Sequence, residues 1–140
     1  MTPDSEAAPH AASPAELEEQ LEAERQGAPF LAFRYPNGRQ RLFILDESAS
    51  RITVGRRSSA DIWIDWDHEV SRLHAAFERV GDDWLLVDDG ISSNGSFVNG
   101  ERVTKRHRLR DGDTIRFGET LMTYRSPGQG DSKATNIRPR

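Results

Sequence analysis

Residues 90–100 read GISSNGSFVNG and contain two Asn-Gly pairs, Asn94-Gly95 and Asn99-Gly100. An Asn-Gly pair between two strands is typical of a tight hairpin, because both residues tolerate positive φ angles. Serines at positions 92, 93 and 96 surround the first pair and place several hydroxyls at one point of the chain. Two interpretations are open at this stage. Either both pairs are turns, or the first pair is the tip of a loop that holds a ligand.

Short segments rich in Phe, Ile, Val, Trp and Leu extend in both directions from this stretch, with turn residues between them. Short, evenly spaced segments of this kind are typical of the strands of a sandwich. The sequence therefore predicts an all-β fold, an antiparallel β-sandwich of about eleven strands. The predicted strand segments are FLAFRY (30–35), RQRLFIL (39–45), RITVG (51–55), DIWID (61–65), HAAFERV (74–80), WLLVDD (84–89), SFVNG (96–100), ERVTKRH (101–107), DTIRFG (113–118) and ETLMTYR (119–125).

The two ends of the chain differ in composition from the middle. Residues 1–28 contain seven acidic residues and one basic residue, and the first twelve positions offer nothing to bury, so we expect an acidic arm that starts disordered. Within it, the segment SPAE (13–16) has the form of a capping box with Pro at the first helical position, which predicts a short helix over 14–26. Residues 126–140 are rich in Gly, Pro and polar residues and predict a flexible tail. The predicted domain occupies residues 29–125.

Composition argues against several classes of protein. The chain has no cysteine, which excludes disulfides, thiol catalysis and cysteine metal ligands. No apolar run approaches the roughly 20 residues that span a membrane, and the N-terminus lacks the basic and apolar regions of a secretory signal. We therefore expect a cytoplasmic protein without membrane contact. Residues 29–125 carry equal numbers of acidic and basic side chains, so bulk charge gives no reason to expect nucleic-acid binding.

Three predicted loops, at residues 55–60, 69–74 and 92–96, carry polar side chains with no evident role in a core. Loops cluster at the ends of a sandwich and often carry binding residues, so these loops could place several hydrogen-bond donors together. Donors without a nucleophile and base beside them are typical of an oxyanion site, and a phosphate dianion would suit the set. The donor side chains are those of Arg56, Ser71, Arg72, Ser93 and Asn94.

Four motifs in this part of the chain resemble those of the forkhead-associated (FHA) domain family, in order and at similar spacing. They are Gly55-Arg56, Ser71-Arg72-Leu73-His74, the stretch 92–100, and LRDGDTI at 109–115. The resemblance covers about residues 30–125. It implies a β-sandwich that binds phosphothreonine peptides and is not an enzyme. The implied partners are phosphothreonine-containing proteins that a Ser/Thr protein kinase has phosphorylated, with no cofactor, metal or small-molecule substrate.

The resemblance also implies a role for each residue at a motif position. The expected phosphate contacts are Arg56, Ser71 and Ser93, with Arg72 beside them. Asn94 is expected to hydrogen-bond the backbone of the bound peptide. This favours the second interpretation of the opening stretch: the first Asn-Gly pair resembles the tip of the binding loop, and the second resembles the hairpin that carries that loop.

Further residues are expected to support or tune the site. Arg57 and Glu69 flank the expected phosphate contacts, and in the family such flanking positions read the residue three places after the phosphothreonine. Because Glu69 should repel an acid there and Arg57 should attract one, we expect an apolar residue rather than Asp to be preferred at that place. The residues implied to brace or shape the loops are Gly55, His74, Gly95 and Asn99.

The sequence departs from the usual family pattern at a few positions. Ser93 and Ser96 stand where Thr is common, which keeps the hydroxyl but removes a methyl group from the packing. Gly90-Ile91 stands where Leu-Gly is the commoner order, so the approach of this loop is expected to differ. None of these departures removes an expected phosphate contact.

Other interpretations of the same residues are open but less favoured. An FHA sandwich that has lost phosphate recognition could act by phosphate-independent protein contact. A catalytic triad from Ser71, His74 and a nearby Asp lacks a nucleophile elbow. A metal site from His68, His74, Asp65 and Asp67 matches no known ligand spacing, and we expect these acids to face solvent.

Thr135 lies in the predicted tail, about ten residues beyond the sandwich. A fully extended segment of that length reaches roughly 33 Å, so phosphorylated Thr135 could return to the phosphate site of its own chain. A tail without this role is the favoured interpretation.

Overall fold

The computed structural model describes residues 12–128, which form one helix followed by two β-sheets packed face to face. The elements in chain order are α1 (Pro14–Arg25), β1 (Phe30–Arg34), β2 (Gln40–Ile44), β3 (Arg51–Gly55), β4 (Ile62–Trp63), β5 (Ala75–Val80), β6 (Asp83–Asp88), β7 (Ser96–Val98), β8 (Glu101–Arg102), β9 (Lys105–Arg108), β10 (Thr114–Phe117) and β11 (Thr120–Arg125). These eleven strands confirm the predicted β-sandwich.

The two sheets enclose a single apolar layer. The larger sheet has the strand order β2-β1-β11-β10-β7-β8, and the smaller has the order β4-β3-β5-β6-β9. Alternate side chains of each strand point inward, as the apolar pattern of the sequence requires. The largest fully buried side chains in this layer include those of Trp84, Tyr124, Phe77 and Phe117. Phe30 is also fully buried, but it belongs to a second cluster with Ala23 of the helix and Ala32.

One strand pair departs from the predicted antiparallel arrangement. β3 and β4 run parallel, with Val54 opposite Ile62, whereas the other paired strands among the described residues are antiparallel. The loop between them turns back before β4 begins, so that the short β4 runs alongside β3 in the same direction. The backbone N–H of Ile64 donates to Gly55 O at 2.9 Å and extends this pairing by one bond.

The segment predicted as one strand at residues 101–107 is two strands in different sheets. β8 pairs with β7 in the larger sheet, and β9 pairs with β6 in the smaller sheet. Val103 is buried between the sheets and donates its N–H to Ser96 O, while Lys105 has a φ of 79°. The burial of Val103 and the left-handed turn at Lys105 carry the chain from one sheet to the other, which an apolar pattern alone does not indicate.

Helix α1 lies where the capping box predicts it. Ser13 Oγ accepts from the Glu16 N–H, and Glu16 Oε1 accepts from the Ser13 N–H. The helix is held against the larger sheet by polar side chains and by buried Ala23, whereas its two leucines stay about half exposed. Glu16 forms a salt bridge with Arg34 at 2.9 Å. The hydrogen bond from Arg34 lowers the pKa of Glu16 to about 2.

Several expectations from the sequence lie outside the described residues. They are the disorder of the first residues of the arm, the flexibility of the tail beyond Gly128, and the return of phosphorylated Thr135. Just before that point Ser126 is buried, and its N–H donates to Asp111 Oδ1 at 2.8 Å. Within residues 12–128, no helix has the length and apolar character needed to cross a membrane.

Candidate functional site

Three loops meet at one end of the sandwich around a cleft of about 440 Å³. They are the β3–β4 loop (56–61), the β4–β5 loop (64–74) and the β6–β7 loop (89–95). All five expected peptide-binding residues line this cleft, and so do both expected specificity residues. The lining consists of Arg56, Arg57, His68, Glu69, Val70, Ser71, Arg72, Leu73, Ile91, Ser93 and Asn94.

Backbone contacts hold the first two loops together. The N–H groups of Arg56 and Arg57 donate to Ser71 O at 3.0 Å and to Arg72 O at 3.3 Å. Gly55 lies where the backbones of the two loops come close together, and a Cβ atom added to it would stand 2.1 Å from Arg72 O. Glycine is therefore required at position 55 by the space available, and this agrees with its expected role in shaping the loop.

The cleft carries positive charge that no ion pair in the described part of the chain neutralises. Arg56 donates from Nε to Val70 O at 2.9 Å, which fixes the side chain, and its terminal nitrogens have no hydrogen-bond partner among residues 12–128. Arg57 and Arg72 are exposed. Among residues 12–128, no carboxylate forms a salt bridge with any of these three guanidinium groups. Glu69 is the one acid in the lining, so three guanidinium groups, of which that of Arg56 is fixed by a hydrogen bond, share the cleft with one carboxylate.

The polar side chains of the second and third loops are aligned by hydrogen bonds between the loops. Ser71 Oγ accepts from the Ser93 N–H at 2.9 Å, so the Ser71 hydroxyl proton is available for another acceptor. Asn94 Nδ2 donates to Glu69 O at 2.9 Å. The Ser93 hydroxyl and Asn94 Oδ1 have no hydrogen-bond partner in the described part of the chain, and both residues are exposed.

His74 lies beneath these loops, 2% exposed, and both of its ring nitrogens are engaged. Nδ1 accepts from the Ser71 N–H at 2.9 Å, so the ring proton is on Nε2, which donates to Gly95 O at 2.9 Å. The ring also packs edge-on against Phe117. A ring with both nitrogens bonded to backbone cannot accept the proton of a serine nucleophile, so this geometry gives no support to a catalytic triad.

Asp88 supports the third loop from below, and the sequence analysis missed it. Its Oδ2 accepts from the hydroxyls of Ser92 and Ser96 at 2.6 and 2.7 Å, and its Oδ1 accepts from the Gly90 N–H at 3.0 Å. Burial raises the pKa of Asp88, but these three hydrogen bonds outweigh burial and hold the pKa below its usual value. An Asp two residues before a Gly and followed by nearby serines is the local signal that could have identified it.

Asp67 was expected to face solvent, and that expectation is wrong. It is 6% exposed and joins the second loop to the turn between β10 and β11. Its carboxylate accepts from the N–H groups of Glu69 and Glu119 and from the Thr120 hydroxyl. Burial raises the pKa of Asp67, but these bonds outweigh it and lower the pKa overall. Over residues 12–128, the His, Asp and Glu side chains form no group suited to holding a metal ion.

The second Asn-Gly pair lies outside the cleft, at the far end of β7. Asn99 and Gly100 have φ angles of 51° and 87° and form the turn between β7 and β8. The Asn99 carboxamide donates to Asp113 Oδ1 at 3.0 Å and accepts from the Thr114 N–H at 3.0 Å. These bonds fix the hairpin to the start of β10, so Asn99 stabilises β7, the strand that follows the binding loop.

Two apolar side chains in the lining were also missed. Leu73 and Ile91 are 48% and 66% exposed, although they lie directly beside the polar residues of the cleft. Leu73 is part of the Ser71-Arg72-Leu73-His74 motif, and Ile91 belongs to the Gly90-Ile91 pair that departs from the usual family order. The two residues are on different loops, and nothing in the sequence indicates that these loops bring them to one surface.

Comparison with known proteins agrees with this geometry. The sequence model of the FHA domain family matches residues 52–118. The oxoglutarate dehydrogenase inhibitor of Corynebacterium jeikeium is 38% identical over 115 residues, which are 82% of this chain and 74% of that protein. This chain belongs to the FHA family. The resemblance drawn from the four motifs is thereby confirmed.

A second relative of this FHA protein is named as a regulator. The glycogen accumulation regulator GarA of Mycolicibacterium smegmatis is 35% identical over 103 residues, which cover 74% of this chain and 61% of that protein. One solved FHA domain, from work on phosphothreonine-dependent FHA interactions, is 32% identical and has a TM-score of 0.59. It covers 70% of this chain and 95% of its own. Family membership supports a general phosphopeptide-binding role for the domain.

Proposed function

We propose that this FHA domain binds phosphothreonine peptides in the cleft, and so recruits proteins that a Ser/Thr kinase has phosphorylated. One observation carries the proposal: hydrogen-bond donors face the cleft, and within residues 12–128 no carboxylate forms an ion pair with its three guanidinium groups. A phosphate group supplies about −1.5 to −2 charges and three acceptor oxygens, which match such a set. The chain thus acts as a binding module, and no step of catalysis is assigned to it.

Each cleft residue has a defined part in this proposal. The terminal nitrogens of Arg56 and the hydroxyls of Ser71 and Ser93 donate to the phosphate oxygens, and Arg72 adds positive charge beside them. Asn94, already held through Nδ2, offers Oδ1 to a backbone N–H of the peptide. Because the loops are fixed by internal bonds before ligand arrives, little ordering cost is left for the protein to meet on binding.

The expected affinity is micromolar. Charge-assisted hydrogen bonds contribute roughly 1.5–3 kcal/mol each, while ordering of the peptide and loss of its free motion oppose binding. A net binding free energy near −8 kcal/mol corresponds to about 1 μM. The solved relative supports phosphothreonine as the ligand, since phosphothreonine dependence is what its structure was used to study.

Titration calorimetry tests the proposal with a phosphothreonine peptide selected from a degenerate library and with its unphosphorylated twin. We expect the phosphorylated peptide alone to bind, and Arg56→Ala to weaken binding about tenfold or more, or at least about 1.4 kcal/mol. Arg106→Ala is the matched control, because Arg106 is exposed on β9 and does not line the cleft. Equal binding of both peptides would instead indicate phosphate-independent contact, and full affinity in Arg56→Ala would remove Arg56 from the site.

A further inference from the structure

We propose that Leu73 and Ile91 form an apolar subsite that selects an apolar side chain of the bound phosphopeptide. This inference rests on the proposed function and adds to it a determinant of sequence preference. This determinant is distinct from the one expected from Arg57 and Glu69. Leu73 and Ile91 lie where the cleft continues into a separate groove, and neither Arg57 nor Glu69 lines that groove.

The backbone that carries these two exposed side chains is held in place by hydrogen bonds of the adjacent residues. The residues on each side of Leu73 are bonded to neighbouring strands and loops: Arg72 O accepts from Arg57 N–H, and the His74 N–H donates to Val54 O at 2.9 Å. Ile91 lies between Gly90 and Ser92, which are both bonded to the Asp88 carboxylate. The backbone that presents this apolar surface is therefore fixed by the same bonds that build the phosphate site.

The cleft continues across these two residues into a groove on the smaller sheet. Leu73 and Ile91 line both the cleft and this groove, whose floor includes buried Ala76 and Val87. The groove has a volume of about 90 Å³, which suits one aliphatic side chain better than a longer segment. The charged residues in its lining are Arg51, Asp88 and Asp89. Arg51 pairs with Glu78, and buried Asp88 is bonded to the β6–β7 loop.

The other continuation of the cleft has the opposite chemistry. There His68 and Glu69 are shared with a groove that also contains Asp67, Glu119 and Thr120. That surface offers an apolar peptide side chain one apolar neighbour, Trp66, among three carboxylates, whereas Leu73 and Ile91 together let it remove apolar area from water on both partners. A peptide held by its phosphate between the two grooves would therefore place its apolar residue toward Leu73 and Ile91.

The first experiment measures sequence preference with the intact chain. A library of phosphothreonine peptides, degenerate at four positions on each side, is passed over the immobilised protein, and retained peptides are sequenced. We expect one position to select Leu, Ile, Val or Met. In calorimetry, replacing that residue by Ala should weaken binding about fivefold, since each buried methylene contributes roughly 0.8 kcal/mol and the subsite buries the side chain in part.

The second experiment locates the preference on the protein. In Leu73→Ser and Ile91→Ser, the affinity ratio between the selected peptide and its Ala version should fall from about five to near one, while Val80→Ser should keep the full ratio. Val80 is a suitable control because it is 55% exposed and lines neither groove. Methyl NMR should also show contacts between the selected side chain and the Leu73 and Ile91 methyl groups.

The outcomes separate this inference from the function on which it rests. If phosphopeptides bind but no position selects an apolar residue, or the ratio survives in both serine variants, the subsite is wrong and the phosphate site stands. If no phosphothreonine peptide is retained, the proposed function fails and the subsite fails with it. The subsite would also be overturned if the NMR experiment showed no contact between the peptide and the methyl groups of either residue.

Discussion

The two Asn-Gly pairs of the opening stretch have the same composition but are built differently. In the first pair Gly95 has a φ of 86°, and Asn94 is not among the described residues with positive φ. In the second pair both residues have positive φ, as a two-residue hairpin turn requires. Asn99 uses both ends of its carboxamide within the fold, whereas Asn94 uses its Nδ2 and leaves Oδ1 unpaired among residues 12–128.

This difference shows how an identical dipeptide can serve stability in one place and binding in another. An asparagine whose hydrogen bonds are complete stabilises the fold and has nothing left for a ligand. An asparagine that is held by one bond and exposed at the other end is both positioned and available. The partners that decide this lie elsewhere in the chain: Glu69 for Asn94, and Asp113 and Thr114 for Asn99.

The largest expected effect comes from removing the support beneath the first pair. Asp88→Ala leaves the buried Ser92 and Ser96 hydroxyls and the Gly90 N–H without their acceptor. We expect a loss of about 3 kcal/mol in the free energy of unfolding, because buried unsatisfied groups are costly. Urea denaturation at neutral pH measures the loss. A change below about 0.5 kcal/mol would show that the loop does not depend on this carboxylate.

The pH dependence of the stability of Asp88→Asn tests whether the negative charge of Asp88 stabilises the fold. The pKa of Asp88 is lower in the folded chain than its usual value, so the carboxylate stabilises the fold fully above about pH 5. That contribution is lost as pH falls through the unfolded pKa of about 3.9 toward the lower folded value. The stability gap between the wild type and Asp88→Asn should therefore be larger at pH 7 than at pH 3. A gap that stays constant would contradict the assignment.

Substitutions in the second Asn-Gly pair should lower the stability of the fold without changing phosphopeptide affinity. Asn99→Ala removes two hydrogen bonds and places alanine at a φ of 51°, so we expect about 2 kcal/mol of destabilisation. Chemical denaturation measures this, and Asn99→Gly, which removes the same bonds but tolerates the φ, should cost less. Phosphopeptide affinity of the folded variant should stay within about twofold. A tenfold loss would mean that the two pairs are not separate in function.

The first pair should show the reverse pattern. Asn94→Ala removes an exposed side chain with one internal bond, so the free energy of unfolding should change by about 0.5 kcal/mol or less. Phosphopeptide affinity in calorimetry should fall about tenfold, or about 1.4 kcal/mol, because the peptide loses a fixed polar contact. Unchanged affinity would place the peptide away from the first pair.

The smallest expected effect concerns the ligand that the first pair would hold. Phosphothreonine and phosphoserine peptides of matched sequence differ by one methyl group, whose burial is worth about 0.8 kcal/mol, or roughly fourfold in affinity. Competition binding against one labelled phosphothreonine peptide gives the ratio directly. Equal affinities would indicate that the loop around Asn94 leaves the methyl group in solvent.

Much of the fold and of the cleft could be predicted because the evidence is local. Apolar alternation marks strands, turn residues mark their ends, and the four motifs place the donor residues on three loops. The anchors beneath the cleft were harder to predict, because nothing near Asp67 in sequence indicates that its partners are Glu119 and Thr120. The split at residues 101–107 was missed for a related reason, since the change of sheet depends on where Val103 is buried.

The anchor at Asp67 also affects when the cleft can form during synthesis. A nascent chain that has reached residue 112 already contains every side chain of the proposed phosphate site, yet it lacks Glu119 and Thr120, to which Asp67 is bonded. It also lacks β10 and β11, on which β1 and β7 pair. Contacts this distant along the chain form late, once the intervening segments are in place. A ribosome-bound fragment should therefore be unable to capture a phosphorylated partner before the last two strands have emerged.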